Sequence, residues 1–234
     1  MACKEVFNDS KVVIEHSLSG GLYCDVHLDR DLKEEDVEKI RTKMKEIIKN
    51  DYKIEKIITN KKDAISIFKS YNMEEKAQLL EYKEYDDVKI YKCNGNIDHF
   101  YGYMLPSTGY IKIFDLKLYK NGVILLGASS KDKTKAEEFV PQPKLANIYR
   151  EAEEWSNLIG VDKVLTLNKI IKDNQYGEII RIVEALHEKK LSQIADTIKE
   201  KGKRVILIAA PSSSGKTSFA HRLSIHLKVN NLKP

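Results

Sequence analysis

The feature that most constrains the fold of this chain is an apolar run, a short polar loop and a second apolar pattern in direct succession. Residues 204–210 read RVILIAA, and after Arg204 they form an uninterrupted apolar run typical of a strand buried on both faces. The next seven residues, 211–217, read PSSSGKT. Apolar residues then recur at helical spacing at Phe219, Ala220, Leu223 and Leu227. The segment is therefore predicted to fold as strand, loop and helix.

The loop has the residue types of the phosphate-binding pattern G-x-x-x-x-G-K-[ST] and departs from it only at Ala210, where the pattern has glycine. The main-chain amides of 213–217 are expected to surround a β-phosphate. Lys216 would neutralise phosphate oxygens, Thr217 would bind Mg²⁺, and Gly215 would leave room for the phosphate. A turn that only joins a strand to a helix is the alternative. The predicted nucleotide-binding residues are Ala210, Pro211, Ser212, Ser213, Ser214, Gly215, Lys216, Thr217 and Ser218, with Lys216 also catalytic.

The sequence IAAPSSSGKTSFA in this segment resembles the Walker A region of the uridine kinase and phosphoribulokinase family, and the resemblance covers residues 203–234. The resemblance implies ATP and Mg²⁺ as cofactors and transfer of the γ-phosphoryl group to a hydroxyl of a uridine-like nucleoside. In that family the catalytic aspartate, the substrate segment and the lid follow this helix, beyond Pro234 here. The chain is therefore expected to be a piece of a kinase, inactive by itself, and whether it is an enzyme stays open.

The preceding residues predict an α+β module. Strands are predicted at 11–14 and 22–26 around a glycine turn, at 52–58, at 88–92, and at 110–118, and Asn121-Gly122 predicts a hairpin before 123–126. A helix capped by Asp31 is expected to run to about Lys49, and Asn60 is expected to cap a shorter one.

Helical periodicity continues from Pro143 to about Glu200, after a polar run over 129–138. Three packing faces are predicted there, and Gly160 is a predicted C-cap. The predicted domains are 1–128, a helical linker over 129–202, and the start of a P-loop α/β kinase domain over 203–234. The faces contain Ile148, Ala152, Trp155 and Ile159; Ile179, Ile182, Val183 and Leu186; and Leu191, Ile194, Ala195 and Ile198.

A second resemblance covers residues 11 to about 127. Residues 105–112 (LPSTGYIK), with Tyr91 and Asp98 before them, and residues 20–26 (GGLYCDV) resemble the second, editing-associated domain of threonyl-tRNA synthetases, which alanyl-type enzymes share. There an HxxxH pair and a CxxxH pair remove mischarged amino acids from tRNA. Here Phe100 and Met104 stand at the CxxxH positions, and the HxxxH helix would lie at or before residue 1.

Phe and Met neither transfer protons nor bind a metal that activates water, so a working deacylase is not expected. The alternative function is a degenerate editing module with residual RNA binding. A third hypothesis is an interaction or regulatory fragment without activity, in which the strand over 205–210 packs on the helical segment or pairs with another chain.

Composition adds few constraints. Cys3, Cys24 and Cys93 form no CxxC pair, which favours reduced thiols in a cytoplasm over disulfides or a zinc site. The net charge of +5 comes mainly from lysines that alternate with acidic residues, so a dedicated nucleic-acid surface is not strongly indicated. The apolar stretches are far shorter than the roughly 20 residues of a membrane span, and a soluble cytoplasmic protein is expected.

Overall fold

The computed structural model describes residues 1–8, 10–84 and 86–234, which form two compact units, Met1–Glu153 and Glu154–Pro234. The first unit contains two antiparallel sheets and the helices that pack on them. Its elements are α1 (Ala2–Val6), β1 (Lys11–Leu18), β2 (Gly21–His27), α2 (Glu34–Lys49), β3 (Glu55–Asn60), α3 (Lys61–Ser70), α4 (Glu74–Glu81), β4 (Asp87–Cys93), β5 (Asn96–His99), a 3-10 helix (Thr108–Tyr110), β6 (Asp115–Tyr119) and β7 (Gly122–Leu126). Helix α5 (Pro143–Leu158) begins in the first unit and ends in the second.

The larger sheet has the strand order β1-β2-β7-β6. The predicted turn between β1 and β2 is confirmed, with Ser19 and Gly20 both at positive φ. The predicted hairpin is confirmed, because β6 pairs with β7, but its turn lies one residue before Asn121-Gly122. Lys120 has the positive φ of 53°, and Gly122 is already the first residue of β7. Glycine is required there because a Cβ would lie 2.3 Å from the Cys24 carbonyl oxygen of the neighbouring strand.

Helix α2 covers one face of this sheet, as its apolar spacing predicts. Val37, Ile40 and Ile47 are buried against residues of β2, β6 and β7. The predicted cap at Asp31 is wrong, because the helix begins at Glu34 with Lys33 as the N-cap. The Asp36 carboxylate accepts the Lys33 main-chain amide at 3.1 Å and so takes over the role of the capping group.

The smaller sheet has the order β3-β4-β5 and packs against α3 and α4. The predicted cap at Asn60 is confirmed, since its side chain accepts the Asp63 amide at 2.9 Å. The first predicted strand of this region is shifted towards the C-terminus and begins at Glu55. The long strand predicted over 110–118 is only partly correct, because β6 begins at Asp115 and a 3-10 helix precedes it.

The second unit contains α6 (Val164–Lys172), α7 (Tyr176–Glu200) and α8 (Lys216–Val229). Helices α7 and α8 pack through a small core, which confirms the third predicted face of the helical region. Its buried members are Leu191, Ala195, Ile198, Leu223 and Leu227.

The other two predicted helical faces are largely wrong. Ile148 is 60% exposed, and Ile182 and Val183 are also exposed, because the described residues bring no apolar partner over them. The predicted C-cap is confirmed, as Gly160 has φ of 68° just after α5. Among the described residues, the helices are all too short or too polar to cross a bilayer.

Candidate functional site

The apolar run over 205–210 is not a buried strand. It has no regular secondary structure and no ladder partner among the described strands, and Val205 and Leu207 are 77% and 89% exposed. The sequence prediction is therefore wrong on both pairing and burial. An apolar run becomes a buried strand only where other strands and helices can cover it, and the described residues provide none.

The loop that follows has the backbone shape that the phosphate-binding pattern predicts. Gly215 has φ of 82° and is the N-cap of α8, and Ser213 has φ of 59°. Left-handed residues within a short loop can turn successive amides towards one side, the backbone arrangement of many anion sites in proteins. Ala210 is not among the residues at positive φ, so alanine at this position is free of strain.

Seven consecutive main-chain amides, those of residues 212–218, donate to no protein acceptor within the described part of the chain. The next amide, that of Phe219, donates to the Gly215 carbonyl at 2.9 Å, so regular helical bonding begins there. Residues 212–215 are exposed, and so are Thr217 and Ser218. The start of α8 therefore has a row of open donors at the positive end of the helix dipole.

Lys216 extends back over the same loop. Its Nζ donates to the carbonyl oxygens of Ala210 at 2.9 Å and Pro211 at 2.6 Å. These bonds hold the ammonium beside the row of amides. The predicted residues 210–218 therefore span this loop and the first residues of α8. Lys216 and the exposed Thr217 are neighbours in sequence at the start of the helix.

Helix α8 is fixed to α7 by a charged cluster as well as by the apolar core. Arg222 donates to Glu188, and His226 Nε2 lies 2.7 Å from the other oxygen of the same carboxylate. Hydrogen bonding from Arg222, and then from His226, lowers the pKa of Glu188. Asn230 also donates to Asp196 at 2.8 Å. The helix that carries the loop is therefore held along its length by its neighbour.

In the first unit, the Pro-Ser-Thr-Gly segment makes structural hydrogen bonds. The Thr108 hydroxyl donates to the Ile47 carbonyl at 2.8 Å and accepts the Tyr52 amide at 2.9 Å. The Ser107 hydroxyl and the Gly109 amide both donate to Asp51. This segment therefore fastens the chain to the C-terminal end of α2, and these bonds account for its residue types without a ligand.

Phe100 and Met104 lie just after β5, and each is 40% exposed. Between them are two strongly exposed tyrosines, Tyr101 at 71% and Tyr103 at 90%. The Tyr91 hydroxyl donates to the Gly102 carbonyl at 2.9 Å and holds this segment on the sheet. No side chain here replaces the Cys and His of the editing pattern.

Lysines from two strands and from the segment that follows α4 lie around these tyrosines. Lys56 Nζ lies 5.2 Å and Lys89 Nζ 6.0 Å from the centre of the Tyr103 ring, and Lys83 Nζ lies 4.5 Å from the centre of the Tyr101 ring. We call Tyr101, Tyr103, Lys56, Lys83 and Lys89 the tyrosine–lysine surface. The sequence contains the aromatic-rich run FYGYM, but it does not predict this surface, because the lysines belong to other segments of the chain.

The three thiols are separate from these sites. Cys24 is buried, which raises its pKa to about 11, and burial also raises the pKa of Cys3 and Cys93. Over residues 1–8, 10–84 and 86–234, no three His, Cys, Asp or Glu side chains are grouped as a metal site requires. A metal at the 210–218 loop would therefore need oxygens of a bound phosphate besides the Thr217 hydroxyl.

Curated proteins similar to this chain are named threonine–tRNA ligase. One from Geobacter sp. (strain M21) is 38% identical over 115 residues, and one from Caldanaerobacter subterraneus subsp. tengcongensis is 35% identical over 116 residues. One from Burkholderia lata is 33% identical over 116 residues. Each match covers 49% of this chain and 18% of the relative, so the chain spans less than a fifth of these proteins. No protein-family model matches the chain.

These matches support a threonyl-tRNA synthetase-like domain over about half of the chain. Their length is close to that of the segment 11–127, for which the sequence predicts this likeness. The likeness of residues 203–234 to uridine kinases rests on the residues alone.

Proposed function

We propose that residues 210–218 bind the phosphate chain of a nucleoside triphosphate, ATP in the family that this loop resembles. The observation that carries the proposal is the row of amides over 212–218, which donate to no protein acceptor in the described structure. Open amides at a helix N-terminus are what a phosphate chain requires. The positive φ of Gly215 supports the proposal, because it turns the backbone at the place where the phosphate would lie.

The predicted residues 213–217 have distinct roles in this proposal. The amides of 213–217 bind the β-phosphate, and Lys216 leaves its carbonyl partners to neutralise β and γ oxygens. Thr217 offers its hydroxyl to a phosphate-bound Mg²⁺. The positively charged lysine would also stabilise the charge that develops when the γ-phosphoryl group moves, which makes it the catalytic residue of this set.

The reaction that the resemblance suggests is transfer of the γ-phosphoryl group to a hydroxyl of a uridine-like nucleoside. Residues 210–218 supply phosphate binding and charge neutralisation for such a step. The groups that would bind and activate the nucleoside are not assigned to this chain.

Titration calorimetry with Mg²⁺ and ATP tests the binding step. Lys216→Ala should weaken ATP binding by at least roughly tenfold, because it removes the only side-chain cation placed on the loop in the described structure. Lys228→Ala is the matched control, since Lys228 is exposed on the same helix near its other end. Equal affinity of wild type and Lys216→Ala would refute the proposal.

A second candidate function is contact with single-stranded RNA through the synthetase-like half of the chain. The comparisons support this candidate and do not bear on the first. Exposed tyrosines flanked by lysines, as in the tyrosine–lysine surface, provide stacking platforms for bases and charges for phosphates. With Phe100 and Met104 at the CxxxH positions, binding without removal of an amino acid is the expected behaviour.

Fluorescence anisotropy with a single-stranded RNA of about 12 nucleotides tests this candidate. The double variant Tyr101→Ala/Tyr103→Ala should weaken binding roughly tenfold, because stacking contributes about 1–3 kcal/mol per base. Tyr71→Ala is the control, since Tyr71 is 41% exposed but lies outside the surface. Absence of binding by the wild type at low salt would remove this candidate and leave the first untouched.

A further inference from the structure

A cleft of about 310 Å³ lies between the second half of α2 and the segment that leads into β6. It shares no residue with the loop over 210–218 or with the tyrosine–lysine surface. Its apolar part comes from four side chains that are only partly covered by protein: Ile48, Ile111, Ile113 and Phe114. A ligand that placed an apolar group here would therefore remove further apolar surface from water.

Three lysines complete the lining, Lys45 and Lys49 from α2 and Lys112 from the opposite wall. All three are exposed, and no carboxylate oxygen in the described structure forms an ion pair with any of them. Lys45 and Lys49 are four residues apart on one helix, where two like charges repel each other. The cleft thus concentrates positive charge around an apolar floor.

Neither of the acidic residues beside these lysines neutralises the cluster, since Glu46 pairs with Lys43 and Asp51 is held by other donors. Asp51 feels the charge of Lys112, but its carboxylate is bound by the Ser107 hydroxyl and the Gly109 amide, and these two bonds contribute most to lowering its pKa. The position of Lys49 has one local explanation, since the C-terminal end of α2 favours a cation in its last turn. No such local interaction among the described residues explains the positions of Lys45 and Lys112. Both lysines therefore remain available to bind an external anion.

We infer that this cleft binds a small amphipathic anion, a compound with one phosphate or carboxylate group attached to an apolar or aromatic body. The lysines recognise the anionic group and the isoleucine and phenylalanine side chains cover the body. The volume is at the lower end of ligand sites in proteins, which fits a ligand of nucleoside monophosphate or medium-chain fatty acid size rather than a macromolecule.

The test uses 8-anilinonaphthalene-1-sulfonate, a fluorescent amphipathic anion, with the full chain. The triple variant Lys45→Gln/Lys49→Gln/Lys112→Gln should raise its dissociation constant roughly tenfold, because the variant removes every cation of the cleft. The control triple variant Lys62→Gln/Lys69→Gln/Lys144→Gln removes the same total charge from exposed lysines elsewhere and should change the constant less than about twofold. Equal weakening in both variants, or in neither, would overturn the inference.

Location and ligand class are tested separately. In amide NMR spectra of the wild type, the probe should shift the signals of 45–49 and 111–114, and shifts confined to the exposed run over 205–208 would overturn the assignment. Competition with adenosine monophosphate and with octanoate then distinguishes the two sources of the anion. Displacement of the probe by either compound supports the site, and displacement by neither at millimolar concentration contradicts it.

Discussion

The Asp51 carboxylate accepts a hydrogen bond from the main-chain amide of Gly109 at 2.8 Å, across 58 positions of sequence. The Ser107 hydroxyl donates to the same oxygen. Asp51 can reach both donors because it has φ of 49° just after the end of α2, a backbone conformation that aspartate tolerates better than most residues. The two residues therefore connect the end of the central helix to the segment that continues into β6.

Gly109→Ala should destabilise the first unit. A Cβ at this position would lie 2.3 Å from the Asp51 carboxylate oxygen, so the side chain must move and lose its two donors. The melting temperature should therefore fall, because the Asp51 carboxylate loses donors that the folded chain supplies. Calorimetric unfolding measures it. Gly127→Ala is the control, because a Cβ there meets nothing within 4 Å; equal melting temperatures for the two variants would show that the Asp51 contact contributes little.

The pair of Arg30 and Asp36 should make the first unit sensitive to acid. Hydrogen bonds from Arg30, at 2.6 and 2.9 Å, and the Lys33 amide hold the pKa of the buried Asp36 at about 2. The unfolded value is about 3.9, so the stabilisation is complete above pH 4 and is lost as the pH falls towards 2.

Asp36→Asn should therefore cost about 1–2 kcal/mol at pH 7, a value reduced because Arg30 is half exposed, and almost nothing at pH 2. Unfolding at the two pH values measures the difference. Asp29→Asn, at a nearby exposed carboxylate, should leave stability unchanged at both. A deficit of Asp36→Asn that is the same at pH 7 and pH 2 would argue against the charged pair.

Loss of Glu188 should loosen the helix that follows the loop over 210–218. Glu188→Gln removes the carboxylate that Arg222 and His226 share, so α8 should open more often. Hydrogen exchange followed by mass spectrometry should show faster exchange over Lys216–Val229 in the full chain. Glu178→Gln, an exposed position in the first turn of α7, should have no effect there. Unaltered exchange in Glu188→Gln would mean that the apolar contacts alone hold α8.

Gly215→Ala tests the backbone of the loop directly. A Cβ at Gly215 meets nothing within 4 Å, so any effect comes from its φ of 82°, which costs alanine about 1 kcal/mol or more. If the left-handed conformation shapes the anion site, ATP affinity should fall roughly fivefold or more, since 1.4 kcal/mol corresponds to tenfold. Gly202→Ala, at φ of 57° and also in open space, carries similar strain outside the loop. An equal loss of ATP affinity in both variants would show that the loss does not come from the backbone geometry of the loop.

Several caps and turns that depend on a few adjacent residues were predictable from the sequence. Ser19 and Gly20 form the expected turn, Asn60 caps α3, and Gly215 begins α8. In each case the residue type and the backbone conformation determine each other over one turn of chain.

Features that depend on distant residues were not predictable. Asp31 was predicted to cap α2. In the folded chain Asp36 accepts the Lys33 amide instead, and Arg30 binds the same carboxylate. The run over 205–210 has the composition of a buried strand, yet composition does not supply the neighbours that would bury it. The tyrosine–lysine surface joins lysines from β3, from β4 and from the segment that follows α4, and no local sequence pattern predicts their proximity.

The most direct test of the nucleotide-binding account is an amide NMR titration of the full chain with Mg²⁺ and ATP. The account predicts saturable shifts of the signals of residues 212–218, because those amides lack protein acceptors and would bind the phosphate chain. Saturating ATP that leaves these seven signals in place would contradict it.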